Sequence, residues 1–101
     1  MLRPTEFPLE VCDLWPFPGA VHPVTPTRPP GAAPLLFVAQ RQDPTTPVSN
    51  AERMARYTNT ALLVLEGDGH TLVFSDVNRC VDGAVTHYLR DPDAAQSATC
   101  Q

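Results

Sequence analysis

The sequence predicts an α/β fold built on parallel strands, and three features of residues 34–101 predict it. Leu35–Ala39 and Ala61–Leu65 are short, continuous apolar runs, the pattern of strands covered on both faces. An amphipathic stretch of helical spacing lies between them, so that strand, crossover helix and strand make a βαβ unit. Beyond the second run, Val77, Cys80, Val81, Ala84, Val85, Tyr88 and Leu89 recur at steps of three and four and draw one apolar stripe along a second helix. The predicted order is βαβα, preceded by a proline-rich extended arm.

The arm is residues 1–33, with Pro4, Pro8, Pro16, Pro18, Pro23, Pro26, Pro29 and Pro30. Proline fixes φ and lacks a donor, which excludes long helices and central strands there. One short turn is predicted near Glu10–Leu14. Phe7, Trp15 and Phe17 need a surface to pack on, which sets the arm apart from a purely solvated linker. The first helix is predicted to begin near Val48, with Ser49 as N-cap of a Ser49-Asn50-Ala51-Glu52 capping box and Asn59 as its left-handed terminator. Ala51, Met54, Ala55 and Tyr57 give it a modest apolar face. Ser75 or Asp76 is the predicted cap of the last helix, and Asp91-Pro92 its end. The tail 93–101 shows no periodicity.

Composition removes several function classes. All seven basic residues are Arg and the formal net charge is −4, without the basic patch of a nucleic-acid footprint. No apolar run approaches the roughly 20 residues of a membrane span, and Met1–Pro8 lacks the apolar core of a signal peptide. The cysteines, at 12, 80 and 100, fit no short zinc spacing. Read alone, they are buried or free thiols. Phosphate loops and dinucleotide fingerprints are absent, and no cofactor is expected.

Two loops concentrate the chemistry. In an open parallel sheet, function sits beyond the carboxyl ends of the strands. The first run leads into Gln42-Asp43-Pro44-Thr45-Thr46-Pro47 and the second into Gly67-Asp68-Gly69-His70-Thr71. Asp43 is either a turn-initiating Asp-Pro or the acid that orients a catalytic histidine. His70 is either a solvent-facing loop residue or a general base, for which its unperturbed pKa near 6.5 is suited. His22, in the arm, and His87, off the apolar stripe of the last helix, have no acid in a matching loop. Glu66 and Asp68 compete with Asp43 but stand beside His70 on the same loop, whereas the acid normally comes from another strand end. Arg41 reads as a surface charge, and Arg79 and Asp82 as residues that face solvent or each other.

An acid followed by a histidine is the chain order of the Ser-Asp-His triad in α/β-hydrolases. Cys12-Asp13-Leu14-Trp15-Pro16, Leu35–Gln40 with Asp43-Pro44-Thr45-Thr46-Pro47, Gly67-Asp68-Gly69-His70, Arg79-Cys80-Val81-Asp82 with Ala84-Val85 and Tyr88-Leu89, and finally Cys100 follow in that order. In order and spacing they resemble the TAP-like C-terminal domain of tripeptidyl-aminopeptidase-like α/β-hydrolases. The resemblance runs from about Val11 to the tail. It implies the C-terminal βαβα portion of an α/β-hydrolase fold over residues 34–101. It implies a serine peptidase, or a related esterase or amidase, with Asp43 as triad acid and His70 as base. It also implies a Cys80–Cys100 disulfide, a partner for Cys12 upstream, and a secreted or extracytoplasmic setting. No Gly-x-Ser-x-Gly occurs. The expected partners are therefore an upstream hydrolase segment carrying the serine and a peptide or ester substrate, with no nucleic acid and no membrane. The rival expectation is a self-contained binding or structural remnant in which Asp43 and His70 no longer act.

Overall fold

In the computed structural model, which describes residues 9–101, three strands form one parallel sheet. They are β1 (Leu36–Gln42), β2 (Ala61–Asp68) and β3 (Ala98–Cys100), in that spatial order. Helix α1 (Val48–Thr58) connects β1 to β2, and helix α2 (Arg79–Arg90) follows β2. The α/β class and the βαβα order hold. Phe7, Pro4 and Pro8 lie outside the described residues.

Both apolar runs are strands because both faces are covered. Leu63, Leu65, Leu72, Val81, Val85 and Cys100 form the core on the α2 side, with Leu36, Val38 and Ala84 packed against it. Leu63 is 1% exposed and Val81 0%, and burial of such side chains contributes about 1.5–3 kcal/mol each. On the other face α1 buries Ala55 and Thr58, alongside Ala39 and Val64 of the strands. The register runs from Leu36 opposite Ala61 to Gln40 opposite Leu65, then shifts so that Gln42 lies opposite Asp68. That gives β2 one extra residue just where the two polar loops leave the sheet, and a bulge there re-aims the strand ends.

Several boundaries differ from the sequence expectation. Pro47, not Ser49, occupies the N-cap of α1, without a side-chain cap bond, so the capping box does not form. Pro47's fixed φ makes it a helix-flanking residue, and Ser49 falls inside the first turn. Asn59 terminates α1 in the left-handed conformation, at φ 49°. Helix α2 begins at Arg79, capped by Asn78, whose side chain accepts from the Val81 N–H. Ser75 and Asp76 lie in a preceding turn; Val77 precedes the helix and is exposed, and Leu89 is exposed at its far end. Asp82 does not pair with Arg79: it accepts from the Phe74 N–H at 2.8 Å and ties that turn to the helix.

The tail supplies β3. Its three residues carry no periodicity, and they are held instead by tertiary bonds. Cys100 is 1% exposed and bridged to Cys80, Ser97 Oγ accepts from the Leu62 N–H, and Asn78 donates to the Gln101 carbonyl. The arm carries a short 3₁₀ turn at Val11–Leu14. Trp15 and Phe17 stack edge-on, 6.0 Å between ring centroids, yet both stay mostly exposed.

Among the described residues β1 pairs on one side only. Its outer edge offers unpaired backbone groups beside an apolar surface, a template for association. The chain alone is expected to form oligomers that grow with concentration, as read by size-exclusion chromatography with light scattering. A clean monomer at every concentration, with a sharp thermal transition, would mean that the arm completes the core.

Candidate active site

The loop after β1 and the loop after β2 leave the same end of adjacent parallel strands, and the structure brings Asp43 and His70 together there. His70 Nδ1 lies 2.9 Å from Asp43 Oδ2 and 3.3 Å from Oδ1. An ionised carboxylate has only acceptors, so Nδ1 carries the proton and donates it. That tautomer leaves Nε2 as the acceptor, and Nε2 has no hydrogen-bond partner among the described residues. The Asp43 side chain is 7% exposed while the His70 ring is 45% exposed. The acid is therefore sheltered and the outer edge of the ring is open.

Asp43 also starts a turn. Oδ1 accepts from the Thr45 and Thr46 N–H groups at 2.8 and 2.9 Å, and the Thr46 hydroxyl donates to Oδ2 at 2.8 Å. The two sequence readings of Asp43 are thus compatible: Oδ1 takes the two turn N–H groups, and Oδ2 takes the His70 ring together with the Thr46 hydroxyl. The Thr46 N–H first, then the His70 ring, hold the Asp43 carboxyl well below the usual carboxylate range; the Thr45 N–H and the Thr46 hydroxyl add to this. A depressed folded-state pKa adds stability at pH above the unfolded value of about 3.9. That stability is lost as pH falls through the lower folded value. In a ¹³C titration Asp43 is expected to stay ionised after the other carboxyls have protonated. In His70→Ala its midpoint should move only part of the way back, since Thr46 N–H is the largest cause; complete reversion would contradict this.

The His70 loop is unusual in backbone. Gly69 sits at φ 122°, which glycine alone tolerates freely. Thr71, Phe74 and Asp76 follow at φ 65°, 54° and 65°; for β-branched Thr71 that is an uncommon, strained geometry. Anchors on either side hold it. Leu72 is buried in the core, Ser75 Oγ donates to the Leu72 carbonyl, and Gln40 Nε2 donates to the Asp68 carbonyl.

The other candidates fall elsewhere. Glu66 accepts from Arg41 at 2.8 Å, with Glu52 of α1 at 3.6 Å from the same guanidinium, so Arg41 is the surface charge expected from the sequence and is ion-paired there. That pairing lowers the Glu66 pKa and raises that of Arg41. Asp68 is exposed, and the ion pair of His70 is with Asp43 instead. His87 lines a cleft with Leu36 and Ala95, away from Asp43. Cys80 and Cys100 form the disulfide, and Cys12 is an exposed free thiol. Among the described residues no group of three His, Cys, Asp or Glu is placed to hold a metal ion, and no helix is long and apolar enough to cross a membrane. The roles of Gln40, Thr46 and Asp82 escaped the sequence reading. Only Thr46 left a signal there, as the fourth residue of an Asp-initiated turn.

The family model of the TAP-like proteins matches residues 5–100. The chain belongs to the TAP-like family of α/β-hydrolases. Among relatives of this TAP-like segment, YuaR of Escherichia coli K12 is 41% identical over 92 residues, covering 91% of this chain and 18% of that protein. Carboxylesterase B of Mycobacterium tuberculosis is 40% identical over 84 residues, 83% of this chain and 16% of that protein. Serine protease Hip1 of the same species is 35% identical over 84 residues, with the same coverage of 83% and 16%. The TAP-like chain thus spans less than a fifth of the length of the curated relatives it matches.

Proposed function

We propose that this chain is the C-terminal part of a serine α/β-hydrolase and supplies the triad acid, Asp43, and base, His70, to a serine carried on another segment. The observation that carries the reading is the 2.9 Å contact between Asp43 Oδ2 and His70 Nδ1, made at the carboxyl ends of adjacent parallel strands with Nε2 left free. In this reading Nε2 takes the proton of the serine hydroxyl as its oxygen attacks the substrate carbonyl. The same nitrogen then returns that proton to the departing amine or alcohol. Asp43 keeps the proton on Nδ1 and stabilises the imidazolium.

The site is incomplete in itself. The cleft beside the pair holds about 170 Å³, below the roughly 300–1,000 Å³ of a small-molecule site. The sequence has no Gly-x-Ser-x-Gly. The serine, the donors for the oxyanion and most of the substrate pocket belong to the partner segment. The substrate class is an ester or a peptide, as the names of the carboxylesterase and serine protease relatives suggest, and the family resemblance favours release of short peptides from an N-terminus. A disulfide between Cys80 and Cys100 fits an oxidising, extracytoplasmic setting.

The test is activity with and without the partner segment. Alone, the chain is expected to be inert toward activated esters and peptide anilides; co-expressed with an upstream hydrolase segment, it is expected to support turnover. Turnover by the chain alone that disappears in His70→Ala would place the nucleophile here and refute the division of the triad. Folded complexes without turnover would favour a non-catalytic module.

A further inference from the structure

Among the described residues, Gln40 is the one buried polar side chain beside the Asp43–His70 pair that the proposed reaction leaves without a task. It stands on β1 three residues before Asp43 and is 4% exposed. Its Nε2 donates to the carbonyl of Asp68 at 3.1 Å. Its Oε1 is buried without a hydrogen-bond partner. The orientation of the amide follows from the first contact: the reverse orientation would set two oxygens against each other at that distance. A buried, unpaired acceptor carries a desolvation cost that an apolar residue of the same size would avoid. Burial alone therefore does not account for glutamine here.

What the amide touches does account for it. The loop carrying His70 wraps over it. A Cβ on Gly69 would meet Oε1 at 3.4 Å, and a Cβ on Gly67 would meet Nε2 at 3.8 Å. His70 follows directly, and Leu72 is then buried in the core. The left-handed stretch at Gly69 and Thr71 is thus pinned on one side by Gln40 and on the other by Leu72, with His70 between the pins. Because Asp43 directly follows the strand that carries Gln40, the amide ties the height of the histidine loop to the strand end that leads into the acid.

We infer that Gln40 is a positioning residue: its amide fixes the Asp68–Gly69 backbone and thereby holds His70 Nδ1 within bonding distance of Asp43. This rests on the reading of Asp43 and His70 as an acid–base pair, and the experiment separates the two.

The readout is the hydrogen-bonded Nδ1–H proton of His70, recorded by ¹H–¹⁵N NMR on the ring-labelled, disulfide-bridged chain below the concentration at which it associates. Asp43→Asn assigns the signal. Gln40→Met keeps the volume and removes both polar ends, and Gln40→Glu keeps the shape and removes the amide donor. Val85→Ala loosens the core under the same face of the sheet and serves as the stability control. The parent is expected to show a downfield Nδ1–H signal. Both Gln40 variants should lose it or exchange it at least tenfold faster while keeping the parent circular dichroism and the Cys80–Cys100 bridge; Val85→Ala should keep it. A parent-like signal in either folded Gln40 variant would overturn the positioning role alone. Loss of the signal in Val85→Ala as well would overturn it too, by showing that any loosening suffices. A parent without the signal would overturn the Asp43–His70 pair itself, and this inference with it.

Discussion

Asp43→Asn is expected to lower kcat/KM by about 10⁴-fold, the scale on which a misoriented triad histidine loses activity, while leaving the fold intact. The assay uses a chimera in which this chain replaces the corresponding 16% of a relative such as carboxylesterase B. The geometry predicts the dissociation of rate from stability. Oδ1 accepts from the Thr45 and Thr46 N–H groups, which an asparagine carbonyl oxygen can also do, and the Thr46 hydroxyl that donates to Oδ2 can turn to accept from the new NH₂ group. That NH₂ group stands where Oδ2 stood and faces His70 Nδ1. A donor there favours the ring tautomer with Nδ1 unprotonated and the proton on Nε2. A protonated Nε2 cannot accept the serine proton. Steady-state kinetics with an activated ester, together with a thermal melt, check both halves. A loss of less than tenfold would contradict the role given to Asp43, and a collapse of the melt would locate the effect in folding.

Loss of the disulfide has the largest expected effect on stability. Cys80 and Cys100 are 20 residues apart in sequence, and closing a loop of that length stabilises by about 3 kcal/mol through the unfolded state. For a domain of this size, that corresponds to roughly 10–20 °C in Tm. The bridge also retains β3, which has three residues and pairs only with β2 among the described residues. Cys80→Ser is the better variant, since Cys80 is exposed whereas Cys100 is fully buried in the core. The oxidised parent and the variant are compared by circular dichroism at micromolar concentration. Reductant should shift the parent toward the variant and leave the variant unchanged. A difference below about 3 °C would show that packing and the Ser97 and Asn78 bonds hold the tail by themselves.

How much of this was legible in the sequence depended on where the determining interactions lie. The strands and helices of the βαβα unit were legible because their signal is local. A continuous apolar run needs cover on both faces, and an apolar stripe at helical spacing needs one. Asp43 and His70 were legible as candidates because each follows such a run. Their 2.9 Å contact was not, because it depends on the register between β1 and β2 and on the extra residue in β2. β3 was invisible because its three residues have no pattern of their own and are set by a disulfide and two side-chain bonds. Ser49 has the spacing of a cap for α1, but Pro47 already fixes the entry to the helix, which spacing alone does not reveal. Arg41 was legible as a surface charge, but its partners were not, because Glu52 and Glu66 are on other elements. Gln40 left no signal at all, since a glutamine ending an apolar run is an ordinary strand terminus until a loop folds over it.

In the proposed function this chain activates a serine carried on another segment. The most direct measurement is the rate at which a serine-reactive phosphonate labels the chimera with carboxylesterase B, with the labelled residue identified by peptide mapping. The parent chimera is expected to be labelled on a serine of the relative's segment, and His70→Ala at least about 10³-fold more slowly, because without a base the hydroxyl is a weak nucleophile. Equal labelling rates in two folded chimeras, with and without His70, would contradict the account.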